Sequence, residues 1–473
     1  MKHLGCLIAL ITLPLSIIAA PKYPFPQNAA YKYGIIPADV NSDKVQEAYE
    51  DFMELYEEQG DLARIKHDDV ENSVSEGIAY GMMVLVYMDN ETNNTQPKFD
   101  KLWNYYKKFS GSIGGLMSWR IKGFEGVANP MMDKNAATDA ELDAAIALLQ
   151  AYKQWEDEKY LTDAKELLAK IEEHEVNENG YLKPGDAWDT EKNVSYFSTG
   201  ALEVFKEASE FDWEKVIQNS YSLIKKVQNS TTGLVPDWCS EDGTPSGGSR
   251  GNYYYDATRT PWRIAWAYSW YGHQDAKDIC TKIASWITTK TNNDPENIVT
   301  GYSLDGNETD EWHNSTFVGP FVCAGMVDAS HQDWVNKGFT HLSELEEDVY
   351  YQISLKFLTM LYLSGNMPNF WTYNPISTCP ENKTKQLFTD DAALSFSHNN
   401  NSSLRISFSV ATPGDVSIDL YTVLGKQVIS VANGSYATGT HHIAISSAMT
   451  TGTYIVRMKT GTGMITQQIL VSR

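Results

Sequence analysis

The sequence predicts an all-helical domain, a toroid of helical hairpins, followed by a small antiparallel β-sandwich. Three observations carry that prediction. Segments before residue 373 place apolar residues at helical spacing, with Gly-, Asn- and Asp-rich loops between them. Beyond Lys385 the pattern changes to strict alternation of apolar and polar residues, the signature of half-buried strands. Composition breaks at the same place. All 13 tryptophans and all five cysteines precede residue 380, and Lys385 to Arg473 holds six basic against four acidic residues. That tail carries +2, and the rest of the chain −25 of the formal −23.

Residues 1–20 read as a secretory signal: Lys2 gives a positive start, Leu4 to Ile18 is apolar, and Ile18-Ala19-Ala20 ends in small residues. Residues 21–373 follow as the helical domain. Lys44 to Tyr56, Val74 to Met88, Leu142 to Trp155 and Leu161 to Ile171 each have helical periodicity, few runs look like strands, and ten to twelve helices fit. Residues 374–394, beginning "NPISTCPENKTKQ", read as a linker rich in Pro, Asn and Thr. Residues 395–473 form the sandwich. Leu404, Ile406, Phe408 and Val410 alternate with polar residues, as do Val416, Ile418 and Leu420, and Tyr454, Val456 and Met458. Turns are expected at Gly425, Asn433-Gly434, Gly439 and Gly452.

Composition narrows the function. A hydrophobic content of 42% supports a real core, and the net charge of −23 argues against a nucleic-acid partner. Thirteen Trp and 27 Tyr exceed ordinary core needs and point to flat apolar partners such as sugar rings. No later stretch reaches the ~18 consecutive apolar residues of a membrane span. Four cysteines remain after the signal, Cys239, Cys280, Cys323 and Cys379. Their spacing matches no zinc motif, and they stand either as buried thiols or as one or two disulfides.

Three carboxylates stand out. Glu76 lies in "SVSEGIAYGMMVLVYM", where Ser75 can cap a helix and place Glu76 in its first turn beside Tyr80 and a Met-rich wall. Burial there raises a carboxyl pKa and suits a general acid, whereas the helix dipole lowers it and gives Glu76 only a structural role. Asp139 lies in "NAATDAELDAAIALLQAYKQW", where Thr138 and Glu141 form a capping-box pattern and Asp143 reads as solvated. Asp256 lies in "GNYYYDATRTPWRIAWAYSWYG", in the loop leading to a helix that has Pro261 in its first turn. Arg259 and Arg263 are near enough to keep Asp256 ionised as a base, and Trp262, Trp266, Tyr268 and Trp270 suggest an aromatic wall for a polymer. A structural Asp–Arg pair beneath a helix is the alternative.

Taken together and in this order, "SEGIAYGM", "ATDAELDAAIALLQA" and "YDATRTPWR" closely resemble glycoside hydrolase family 8. The resemblance spans roughly residues 25–372, with Ala140-Glu141 where the family more often has Gly-Asp. It implies an all-α (α/α)6 barrel with a cleft across one end, hydrolysing β-1,4-linked polysaccharides with inversion. By motif, Glu76 matches the general acid, Asp256 the general base, and Asp139 the carboxylate that orients the sugar at the cleavage point. Tyr255 and Arg259 share the base's motif, and Trp119 ("LMSWR") and Trp188 ("PGDAWD") resemble substrate-stacking loops. Two carboxyl groups suffice for inversion, so no metal or other cofactor is expected. The substrate ranking is β-1,4-glucan (cellulose or mixed-linkage glucan), then xylan, then chitosan, and the chain is read as a monomer. A non-catalytic polysaccharide-binding protein is the rival, but it should have lost Glu76 or Asp256, and both are present. The tail, "DVSIDLYTVLGKQVIS" and "GTYIVRMKTGTGMITQQILVSR", resembles the type A C-terminal sorting domain of the type IX secretion system. That implies secretion or cell-surface attachment, with the secretion machinery as a partner. A carbohydrate-binding module is the alternative, weakened by a tail without tryptophan whose Tyr421, Tyr436 and Tyr454 fall in strands.

Overall fold

The computed structural model describes residues 20–373, 392–398, 404–410, 413–422, 426–445, 452–460 and 464–471. All of the signal segment but Ala20 and nearly all of the linker, with Cys379, lie outside them, as does the turn expected at Gly425. The chain divides into two units, Met1–Tyr373 and Asn374–Arg473.

The first unit holds twelve α-helices among its described residues: α1 (Ser42–Met53), α2 (Ser75–Tyr87), α3 (Gln96–Lys108), α4 (Thr138–Trp155), α5 (Glu158–Glu175), α6 (Thr199–Ala208), α7 (Trp213–Val227), α8 (Arg259–Tyr271), α9 (Gln274–Lys290), α10 (Ser315–Gly325), α11 (Gln332–Glu344) and α12 (Tyr350–Leu363). Their sequences sort them into two layers. Even-numbered helices are apolar nearly all round; every residue of α2 but Glu76 is buried, as is all of α10. Such helices belong inside. Odd-numbered helices such as α1 and α7 bury one stripe and expose the other face. The packing follows: α2 touches α4, α4 touches α6, and the ring runs on through α8, α10 and α12 back to α2. Six inner and six outer helices make an (α/α)6 barrel. Close approach within the inner ring needs small residues. A Cβ on Gly319 of α10 would stand 2.1 Å from Thr359 Oγ1 of α12.

Two local expectations fail here. The helix expected to reach Tyr56 stops at Met53, because Tyr56–Gln59 (β1) pairs antiparallel with Leu62–Ile65 (β2) in a hairpin that turns at Gly60, φ +67°. Three further short strands, Asn72–Val74 (β3), Arg120–Lys122 (β4) and Gly126–Val127 (β5), form one small sheet just before and after α2 and α3. Eight of the thirteen tryptophans are buried, so most of the aromatic excess is core rather than sugar-binding surface.

The second unit is two antiparallel sheets. Ala392–His398 (β6), Leu404–Val410 (β7) and Gly439–Ile445 (β10) are ordered β10-β7-β6. Gly414–Thr422 (β8), Gln427–Tyr436 (β9), Gly452–Thr460 (β11) and Met464–Val471 (β12) are ordered β12-β11-β8-β9. The alternating residues meet as expected, with Ile406 and Phe408 in one core with Val416, Ile418, Leu420, Tyr454, Val456 and Met458. Asn433-Gly434 is not a turn but lies within β9, because Gly434 pairs with Val416 and keeps the ladder going. Among the described residues no helix is long and apolar enough to cross a membrane.

A buried ion pair ties two inner helices that are not neighbours. Asp143 of α4 accepts hydrogen bonds from both terminal nitrogens of Arg263 of α8, each 2.6 Å, although α6 separates these helices in the ring. Both side chains are fully buried, so Asp143 is not solvated, and Arg263 is not a partner of Asp256. Breaking such a pair strands a buried charge. Asp143→Ala should therefore destabilise the first unit by about 3–5 kcal/mol, read from denaturant unfolding. A loss below ~1 kcal/mol would show that the pair is not a structural tie.

Candidate active site

The three motif carboxylates come from three separate elements at one end of the inner ring. Glu76 sits in the first turn of α2, Asp139 in the first turn of α4, and Asp256 in the loop ahead of α8. One side chain gathers them. Arg259 Nη1 donates to Glu76 Oε2 at 2.6 Å and to Asp139 Oδ2 at 2.7 Å, while Nη2 donates to Asp256 Oδ1 at 2.9 Å. The guanidinium is 2% exposed and lies 5.2 Å from the Tyr196 ring centroid.

Neither capping expectation holds. Val74 and Ala137 are the N-cap residues of α2 and α4, with no side-chain cap bond, and Ser75 and Thr138 are already helical. The caps are displaced because other bonds set where the chain turns in. Ser75 N–H donates to the Trp119 carbonyl at 2.9 Å, and Thr138 N–H to the Pro184 carbonyl at 3.1 Å. Trp119 N–H in turn donates to Asn135 O at 2.8 Å. The Trp119 segment therefore bridges the approaches to Glu76 and Asp139. Gly185 is required at the second contact, since a Cβ there would stand 2.2 Å from the Ala136 carbonyl oxygen.

The carboxylates differ in environment. Glu76 Oε1 accepts from the Tyr350 hydroxyl at 2.9 Å, and its side chain is only 18% exposed. Burial raises its pKa above the ordinary carboxyl value, the charge of Asp256 adds to that, and Arg259 and Tyr350 oppose it. Asp139 is raised too, by burial first and then by the charge of Glu76. Asp256 is the open one at 34% exposed, and its Oδ2 accepts from the Trp238 indole N–H at 2.9 Å. A largely enclosed carboxyl with a raised pKa thus shares a cation with a carboxyl that water can reach.

Tyr255 sits beside Asp256, its carbonyl accepting from the Tyr351 hydroxyl at 2.9 Å. Trp188 stacks on Trp238 with centroids 4.7 Å apart and planes at 24°. Trp262, Trp266 and Trp270 are buried in the barrel and make no wall. Five groups at the site, Tyr196, Asp237, Trp238, Tyr350 and Tyr351, escaped the sequence reading. "PDW" and "VYYQ" look like ordinary loop and helix starts, and nothing local marks them. Among the described residues no cluster of three or more His, Cys, Asp or Glu could hold a metal.

The chain is similar to known proteins over most of its length. The model of glycosyl hydrolases family 8 matches residues 23–365, and that of a secretion system C-terminal sorting domain matches residues 400–472. Endoglucanase 2 of Ruminiclostridium josui is 34% identical over 412 residues, covering 82% of this chain and 85% of that protein. A β-glucanase of Niallia circulans is 31% identical over 401 residues, covering 78% of this chain and 96% of that one. The apo structure of a β-1,3-1,4-glucanase from Paenibacillus sp. X4 superposes with a TM-score of 0.70 at 30% identity, covering 73% of this chain and 99% of that chain.

A second carboxyl pair lies beneath the site. Glu141, which the capping-box reading sent back to the helix start, is instead buried and accepts from the Tyr106 hydroxyl at 3.1 Å. Glu175 of α5 is buried near it, and burial followed by nearby negative charge raises both far above the ordinary range. Raised folded-state values stabilise the fold below the ordinary carboxyl pKa, and that stability is lost as pH climbs through the raised values. Glu175→Gln stays neutral at nearly the same shape. Its melting temperature should hold up better than the native protein's toward the alkaline end of roughly pH 5 to 9. Parallel melting curves across that range would show that Glu175 ionises without cost.

Proposed function

The chain belongs to glycosyl hydrolases family 8, and from that premise we propose that it is an endo-acting, inverting hydrolase of internal β-1,4 linkages in plant glucan, either cellulose or mixed-linkage glucan. One observation carries the reading: Arg259 joins Glu76, whose carboxyl pKa is raised by burial, to a water-accessible Asp256. Glu76 gives its proton to the leaving glycosidic oxygen as the bond to the anomeric carbon breaks. Asp256 takes a proton from the water whose oxygen attacks that carbon from the opposite face. Asp139 holds the sugar at the cleavage point, and the charge of Arg259 steadies the carboxylates as protons move. Neither step calls for a metal or other cofactor.

The similarity of the chain to glucanases over most of its length supports glucan ahead of xylan and chitosan. Trp119 and Trp188 are the proposed stacking surfaces, Tyr255 borders the cleavage point, and the acidic surface leaves no role for nucleic acid. We take the enzyme to act as a monomer. The C-terminal sorting domain marks the chain as secreted or held at the cell surface.

Reducing-sugar release from carboxymethylcellulose, mixed-linkage glucan, xylan and chitosan, measured side by side, should be greatest on a glucan. Product followed by NMR from a β-linked oligosaccharide should appear first as the α-anomer. Glu76→Gln and Asp256→Asn should each lower kcat by at least ~10²–10⁴-fold with substrate still bound. β-Anomer appearing first would remove the inverting mechanism, and xylan as the best substrate would move the specificity to the runner-up.

A further inference from the structure

Glu76 and Arg259 lie on regular helices, but Asp256 stands on an irregular loop, and a general base there needs its direction set by something else. The segment from Asp237 to Trp238 supplies it twice over. Asp237 Oδ1 accepts from the backbone N–H of Tyr254 at 2.9 Å and of Ala257 at 2.8 Å, clamping the residues on both sides of Asp256. The next side chain holds the carboxylate itself, through the 2.9 Å bond from Trp238 Nε1 to Oδ2. The segment is anchored in turn: Asp237 N–H donates to Asn252 O at 2.8 Å and Trp238 N–H to Arg250 O at 2.9 Å. The Arg250 guanidinium lies 4.7 Å from the Trp238 ring centroid and is ion-paired to Glu191 at 2.8 Å.

Resting on the assignment of Asp256 as the base, we propose that Asp237 and Trp238 are its positioning residues, Trp238 doing so while it also backs the Trp188 ring. Arg259 occupies one oxygen of Asp256 and Trp238 the other, which fixes the rotation of the carboxylate plane. This goes beyond acid and base assignments, which need only the three carboxylates.

The charged and titratable groups facing Asp256 are Arg259 from α8, Glu76 from α2, Asp237 from the preceding loop, Tyr196, and Tyr351 from α12. Against that fixed background, Trp238→Phe keeps an aromatic ring beneath Trp188 while removing the N–H donor along with the second ring of the indole. It should lower kcat on mixed-linkage glucan about 10- to 100-fold, the size of one hydrogen bond to a charged group, with KM nearly unchanged. Losing a donor to the ionised form makes the base easier to protonate, so the acidic limb of the kcat/KM profile should move to higher pH. Trp188→Ala is the contrast: it should raise KM and leave that limb in place.

A second pair of variants covers the backbone clamp. Asp237→Ala should lower kcat with KM held, and Asp237→Asn, whose amide oxygen still accepts both N–H groups, should restore it. If Trp238→Phe changes only KM, as Trp188→Ala should, Trp238 is merely the floor of the stacking surface and the proposal falls. If Asp237→Ala lowers the melting temperature but leaves kcat intact, the clamp is structural alone and that half falls. Native-like turnover by Asp256→Asn would overturn the base assignment itself, a result distinguishable from either.

Discussion

A single buried guanidinium sets the terms for everything around it. Three carboxyl groups drawn together at the end of a helical barrel would repel one another, and desolvation would push all of them toward the neutral form. Arg259 makes their company tolerable, and they in turn make its burial tolerable. The charge balance is instructive. Burial raises the carboxyl pKa of both Glu76 and Asp139, and the charge of Arg259 opposes that rise. The barrel serves that cluster by bringing the first turns of α2 and α4 to the start of α8, and the 2.6 Å Asp143–Arg263 bonds tie the latter two helices one turn deeper.

How legible this was in the sequence depended on whether the partners were local. Glu76, Asp139, Asp256 and Arg259 announced themselves because each sits in a distinctive short stretch that needs no knowledge of the fold. Tyr350 meets Glu76 across 274 residues of chain, and Trp238 meets Asp256 from a loop with no pattern of its own. Such contacts exist only once the ring has closed. The errors share a cause as well. Ser75 and Thr138 fit the local rules for helix caps, but carbonyls from Trp119 and Pro184 took their backbone N–H groups and moved the helix starts back by a residue. Glu141 fitted the same rules and went into the core instead. The tryptophan count misled because an inner ring of broad helices consumes large rings as packing material. In the tail the period-two pattern foretold the core residues well, while an Asn-Gly pair was absorbed into a strand by its neighbour's ladder.

The two units also differ in what holds them. The first is built on an inner ring of helices buried nearly all round and an outer ring that buries one stripe. The second rests on a core of alternating residues from two sheets, and its described charges lie at the surface or pair locally, as Arg457 does over the Tyr421 ring at 5.1 Å. The break in charge, tryptophan content and periodicity near residue 385 is the sequence trace of that change in architecture.

The three described cysteines carry a consequence for a protein that leaves the cytoplasm. Cys239, Cys280 and Cys323 are free and buried, and burial pushes the Cys239 thiol up to about 12 and the other two higher still. Oxidants and mixed disulfides react with the thiolate, and a folded barrel offers almost none of it. These sulfurs are therefore protected by kinetics rather than by chemistry. Labelling of Cys323, on the inner helix α10, must wait for the barrel to open, so the rate at which it is alkylated reads out the opening of the inner ring.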